Sequence, residues 1–193
     1  MKTFSGYNVS DDYAEGKYKN VILMIGDGMG VYHLEKTKNE LGIELAMDTF
    51  EIEGRSQTRS ASNAVTDSAA GGTALSTGCR VWINSLGVFP FDPFTINDFN
   101  VPINICELVM RDGKAAGVVT TDKTSGATPS AFSAHALSRT MEKDISADQL
   151  ASGLNLIWGA SSDSINEENT KANGFTYIGN EDELMALTAG SRS

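Results

Sequence analysis

Ser68 stands in "VTDSAAGGTALSTG", residues 65–78, between an aspartate and a run of alanines and glycines. A serine hydroxyl attacks a substrate only when a base or a cation helps it. The chain has two histidines, His33 and His135, and neither is near Ser68 in sequence. The motif is not Gly-x-Ser-x-Gly, so a lipase-type elbow is not supported. Two readings stay open on these residues alone. Asp67 or Ser68 caps a helix that starts here. Alternatively, the hydroxyl works at the positive end of that helix, where an anion is favoured. Gly71 and Gly72 are poor helix formers, each costing about 1 kcal/mol against alanine. With Ala69 and Ala70 they leave room for another element to pack closely.

Other residues could do chemistry. "IGDGMG", residues 25–30, places Asp27 between two glycines after an apolar run. It is not a dinucleotide fingerprint, because the third glycine comes one residue early and Val31 takes its place. A carboxylate would also repel a phosphate there. Asp27 is either a turn residue or an oxygen ligand for a divalent cation. Thr128 precedes Pro129, which reads as a helix start; a hydroxyl ligand would be an added role. Arg139 falls near the expected end of that helix. It either complements the negative dipole end or offers a guanidinium fork to phosphate. His33 and His135 read as structural. Cys79 and Cys106 lack metal spacing and read as free buried thiols. A zinc site of three histidines is impossible within this chain.

The elements that must position these groups follow a β-α alternation. Asn20–Ile25 reads as a buried strand and 31–41 as a helix. Residues 54–62 are loop or strand-like, and 68–77 form a short helix closed by Gly78. Residues 86–94, "LGVFPFDPF", read as loop. Residues 103–113 form a helix stopped at Gly113, and 115–121 a second buried strand. A helix runs from 129 to about Arg139, 153–160 is a third strand, and 174–187 a short strand and a helix. This spacing predicts an α/β fold with a mostly parallel sheet, whose ligands sit at the carboxyl ends of the strands. Residues 1–18 read as a polar arm.

The chain has 193 residues, 40% apolar and 21% charged, which reads as soluble and globular. No apolar run is long enough to span a membrane, and the first twenty residues lack a signal-peptide core. The formal net charge of −10 argues against nucleic acid as a partner. An anionic substrate would need a local positive centre.

The blocks "NVILMIGDGMG", "VTDSAAGGTALSTG", "INSLGV", "GKAAGVVTT", "GATPSAFSAHALSR" and "QLASGLNLIWGA" resemble, in this order, the alkaline phosphatase family over about residues 19 to 160. The resemblance implies a three-layer α/β sandwich around a mostly parallel sheet, here incomplete. It implies a metal-dependent phosphate monoester hydrolase acting through a phosphoserine. Ser68 matches the nucleophile and a metal ligand, and Arg139 the arginine that binds two phosphate oxygens. Asp67 matches the neighbour that positions this arginine. Asp27 matches the carboxylate bridging one zinc and the magnesium, and Thr128 a hydroxyl ligand of the magnesium. Two zinc ions and one magnesium ion are expected in the complete enzyme. A zinc ion would then activate Ser68 in place of a histidine.

The same resemblance implies small phosphate monoesters as substrates, a homodimer, and a periplasmic or extracellular setting. Family members are longer, and most of their zinc ligands lie in a C-terminal half. No Asp-x-x-x-His or Asp-His pair comes after residue 160. The chain, with 19–193 as the N-terminal part of the fold, is expected to be a truncated product or one part of a longer enzyme. Gly126 stands where relatives often carry an aspartate or histidine near the third metal. The rival readings are a catalytically incompetent chain that keeps part of the fold, and a related phosphodiesterase or sulfatase. Asp-Ser-Ala speaks against the last pair, which favour threonine or a modified residue.

Overall fold

The structure, a computed structural model, describes residues 19–89, 101–160, 162 and 164–193. The expected polar arm 1–18, and most of the proline-rich stretch expected as loop, lie outside the described residues. The chain divides into two compact units, Met1–Ile43 and Glu44–Ser193.

In the first unit a turn closes where the Met29 N–H donates to the Gly26 carbonyl at 3.2 Å. Gly28 takes the left-handed conformation this turn needs, with φ +65°. Helix α1 (Val31–Leu41) comes next, as expected, and stops at Gly42, whose N–H bonds back to the Lys38 carbonyl. The apolar run before the turn is not a buried strand. Val21 and Ile22 are 91% and 85% exposed. A strand needs a neighbour to take its backbone hydrogen bonds, and the described residues of this unit contain no other strand.

Among the described residues, the second unit holds a 3-10 turn (Ala46–Thr49) and the remaining regular elements. These are α2 (Ser68–Thr77), α3 (Ile105–Arg111), β1 (Gly117–Lys123), α4 (Ala127–Ser130), α5 (Glu142–Ala151), β2 (Leu156–Ala160), α6 (Glu167–Ala172) and α7 (Glu181–Met185). β1 and β2 pair in parallel, Gly117 opposite Leu156 and Val119 opposite Trp158. This is the α/β arrangement with a parallel sheet that the sequence predicts, in a smaller version. Parallel neighbours need a crossover, and α4 and α5 supply it.

The core collects Ala69 from α2, Leu86, Cys106 from α3, Val118 from β1, Ala127 from α4, Phe132, Ala136 and Ile145 from α5. β1 buries less than expected: Val118 is buried but Val119 is 65% exposed. Cys79 is only half-buried, while Cys106 is buried and free as expected. The expected strand within 174–187 does not form; only its helix does, as α7.

The helix expected from 129 to 139 breaks after one turn. Ala136 pairs instead with Leu86 through two backbone hydrogen bonds of 3.0 and 2.9 Å. Arg139 therefore sits on a loop, as does His135. A buried amide fastens the start of this loop: Gln149 Nε2 donates to the Thr124 carbonyl and to Ser133 Oγ, both at 2.8 Å.

Candidate active site

Asp67 and Ser68 open helix α2. Asp67 is the cap, and its Oδ1 accepts the Ala70 N–H at 3.0 Å. Ser68 is the first helical residue and is half-buried. Of the two residues the sequence leaves open for the cap, Asp67 takes the role. Gly78 closes the helix in the left-handed conformation, φ +73°.

The second carboxylate oxygen of Asp67 gathers two distant groups. It accepts the Asn84 N–H at 3.1 Å and faces Arg139 Nη1 at 3.4 Å, across 72 residues of sequence. The Arg139 N–H in turn donates to the Asn84 carbonyl at 2.8 Å. Asn84 lies at φ +71°, the one non-glycine residue with positive φ among those described. Asparagine tolerates this conformation better than most residues. Its turned backbone lets one residue give its N–H to Asp67 and its carbonyl to Arg139. No sequence motif points to Asn84; its signal is conformational.

Arg139 is about one-third exposed, at 37%. With Nη1 held by Asp67, its other guanidinium donors make no hydrogen bond among the described residues. A guanidinium anchored at one nitrogen and open at the others can grip an anion with two donors. The N-terminal end of α2 adds the partial positive charge of its backbone amides.

Thr128 is half-buried in α4, whose cap is Gly126 rather than Thr128. The close packing expected of the α2 glycines occurs here. A Cβ on Gly72 would lie 3.6 Å from Thr128 Cα and 2.9 Å from Ala131 Cβ. The glycine brings the backbone of Thr128 against the Ser68 helix. Asp27 lies in the first unit, at the Gly26–Met29 turn.

Gly126, where the resemblance leads one to expect an acidic or imidazole side chain, has the Asp122 carboxylate beside it. A Cβ there would run into Asp122 Oδ2 and lie 3.2 Å from Asp122 Cγ and 3.0 Å from the Lys123 carbonyl. No sequence motif singles out Asp122. Among the described residues, no group of three or more histidine, cysteine, aspartate or glutamate side chains comes together as a metal site. Asp27, Ser68 and Thr128 supply fewer donors than two four-coordinate zinc ions take.

His33 and His135 are engaged in packing and capping. His33 Nδ1 accepts the Gly30 N–H at the start of α1. His135 lies among Glu107, Asp148 and the Pro102 carbonyl.

Known proteins share both the sequence and the fold. A family profile described as alkaline phosphatase matches residues 18–158. An alkaline phosphatase of Schizosaccharomyces pombe is 37% identical over 145 residues, which cover 71% of this chain and 26% of that protein. The crystal structure of a cold-active alkaline phosphatase from a psychrophilic Shewanella species superposes with a TM-score of 0.68 at 29% identity, covering 85% of this chain and 42% of the other. A variant of the alkaline phosphatase of the Antarctic bacterium TAB5, with magnesium bound in its M3 site, gives a TM-score of 0.67 at 26% identity, covering 86% of this chain and 48% of the other. The chain thus spans about a quarter of the length of the yeast relative.

Proposed function

The chain belongs to the alkaline phosphatase family, and from that premise we propose that it carries the nucleophile and phosphate-binding part of a metal-dependent phosphate monoester hydrolase. The observation that supports this reading most directly is the contact of Arg139 with Asp67, the residue before Ser68. It holds a cationic fork on the cap residue of the helix that Ser68 opens.

In this reading the phosphate of a small monoester lies against Arg139, which holds two of its oxygens. The Ser68 hydroxyl gives its proton to solvent, its oxygen attacks phosphorus, the Oγ–P bond forms, and the ester P–O bond breaks. The alcohol departs and takes a proton from solvent. Water then loses a proton to solvent and attacks the phosphoserine, its O–P bond forms, the Oγ–P bond breaks, Ser68 Oγ takes a proton back from solvent, and inorganic phosphate leaves. A phosphoryl transition state needs positioning and positive charge above all. Arg139 and the amides of α2 provide both at the oxygens that do not react. Asp67 keeps Arg139 aimed and is itself held by α2 and Asn84.

Asp27, Ser68 and Thr128 are the metal-facing groups of this reading, with two zinc ions and one magnesium ion expected. Divalent cations, when bound, lower the pKa of a hydroxyl and stabilise a leaving oxygen. Further zinc donors must come from outside the described residues.

The test uses the natural full-length polypeptide with zinc, magnesium and p-nitrophenyl phosphate. Ser68→Ala is expected to lower kcat by about a thousandfold or more, as removal of a nucleophile does. Acid quenching of the wild type should leave phosphate on the peptide containing Ser68. Full turnover by Ser68→Ala would remove Ser68 as nucleophile. Faster hydrolysis of a sulfate ester or a phosphodiester would move the protein to a neighbouring class.

A further inference from the structure

We propose that the Asp122 carboxylate replaces the missing side chain at Gly126 as the acidic group that faces a magnesium ion beside Thr128. The inference rests on the metal-dependent reading above and adds to it a residue that only the structure reveals.

The backbone of Gly126, at φ −58° and ψ 150°, is one any residue can adopt. Conformation therefore does not demand glycine here. The space a side chain would fill is taken by Asp122 Oδ2. A carboxylate oxygen thus sits beside position 126 already, delivered from four residues upstream.

β1 explains how it gets there. The strand runs in register to Val119 opposite Trp158, and then from Val119 to Lys123 while β2 advances only from Trp158 to Ala160. The surplus residues bulge out of the ladder. Such irregularities re-aim side chains, and they are over-represented next to active sites. The Asp122 N–H leaves the ladder and donates to Thr120 Oγ1 at 3.1 Å. The bulge packs on the bare backbone of Gly159, where a Cβ would lie 2.8 Å from the Asp122 carbonyl oxygen. Asp122 Oδ1 accepts the Lys123 N–H at 2.8 Å, which fixes the carboxylate and leaves Oδ2 turned toward Gly126.

The charge of Asp122 stays uncompensated. The ammonium of Lys123, the nearest in sequence, pairs with Glu142 instead. Among the described residues Asp122 makes no ion pair, and its Oδ2 accepts no hydrogen bond. A carboxylate beside position 126, two residues before Thr128, adds one hard oxygen donor to the threonine hydroxyl that the proposed function assigns to magnesium. It suits magnesium, which binds one or two carboxylates and keeps several waters.

The geometry dictates the experiment. The natural full-length polypeptide, loaded with zinc, is titrated with magnesium by calorimetry, and both metals are counted by mass spectrometry. Asp122→Asn is expected to weaken magnesium binding by about tenfold or more, with zinc content unchanged. Gly126→Asp alone should also bind magnesium poorly, because its Cβ meets the Asp122 carboxylate. The double variant Asp122→Ala with Gly126→Asp frees that space and should recover binding beyond Asp122→Ala alone. Asp122→Asn that binds magnesium as tightly as wild type would overturn the inference. So would a double variant no better than Asp122→Ala, or a zinc-loaded, active wild type that binds no magnesium. A wild type that takes up neither metal and hydrolyses no monoester would instead overturn the family-based function.

Discussion

His135 is only 12% exposed and lies between two carboxylates. Asp148 Oδ2 is 3.7 Å from its Nδ1 and Glu107 Oε2 is 3.8 Å from its Nε2. The Pro102 carbonyl stands 3.3 Å from Nε2. Burial alone would push its pKa down, but Asp148, Glu107 and the carbonyl outweigh burial and raise it above 6.5. A group whose folded pKa is raised gives stability that is fully present below its unfolded pKa and lost as pH rises through the folded value. The difference in Tm between wild type and His135→Gln should therefore be larger at pH 6 than at pH 8.5, measured by thermal melts across that range. A difference that stays flat, or grows with pH, would refute the charged clasp. The sequence marks His135 as structural, but places it on a helix face. Neither acid neighbour is close to it in sequence, so no spacing rule could find the cluster. Asn84 and Asp122 escape for the same kind of reason: one depends on a positive φ and the other on a bulge. Asp67, Ser68 and Gly78 are legible because capping is local chemistry.

Between elements, α2 approaches α4 closely, and adjacent glycines should respond to this with opposite signs. At Gly72 a Cβ would lie 2.9 Å from Ala131 Cβ, which is fixed to backbone and cannot swing away. At Gly71 the nearest atom is Thr66 Cγ2 at 3.4 Å, an ordinary contact. Gly71→Ala should gain most of the roughly 1 kcal/mol by which alanine favours a helix. Gly72→Ala gains the same term but overpacks, at a cost of about 1–3 kcal/mol, and should be destabilising on balance. Denaturant melts of the two variants decide the matter; equal effects at both positions would mean that α4 does not press on α2. Elements whose signals are local are readable: α1, α2, α3 and β2 form where the sequence places them. The 129–139 helix fails because long-range pairing wins over local propensity. Leu86 and Asn84 take the backbone groups of Ala136 and Arg139, and an amide bonded to another segment cannot also join a helix ladder. Helix α5 has Met141 as its cap, without a side-chain bond, and its local signal is confined to Glu142 and Asp144 in the first turn.

At the scale of the whole chain, the buried core cluster among the described residues lies in one unit. Every member of the core cluster falls between Ala69 and Leu154, and its partly buried neighbours reach only to Ile157. No residue of α1 is buried. The second unit thus carries a hydrophobic core of its own. A chain of residues 44–193 should fold alone, with a cooperative thermal transition and a Tm within a few degrees of the longer chain. Substitutions sharpen the contrast. Ile145 is fully buried, and Ile145→Ala should cost about 2–5 kcal/mol in either chain length. Ile22 is 85% exposed, and Ile22→Ala should move stability by no more than about 0.5 kcal/mol. Loss of the cooperative transition in 44–193, or a large cost for Ile22→Ala, would show that the apolar run Val21–Ile25 is buried in solution. That outcome would revive the strand the sequence predicts, and it would tie the Asp27 turn to the same folding unit as Ser68.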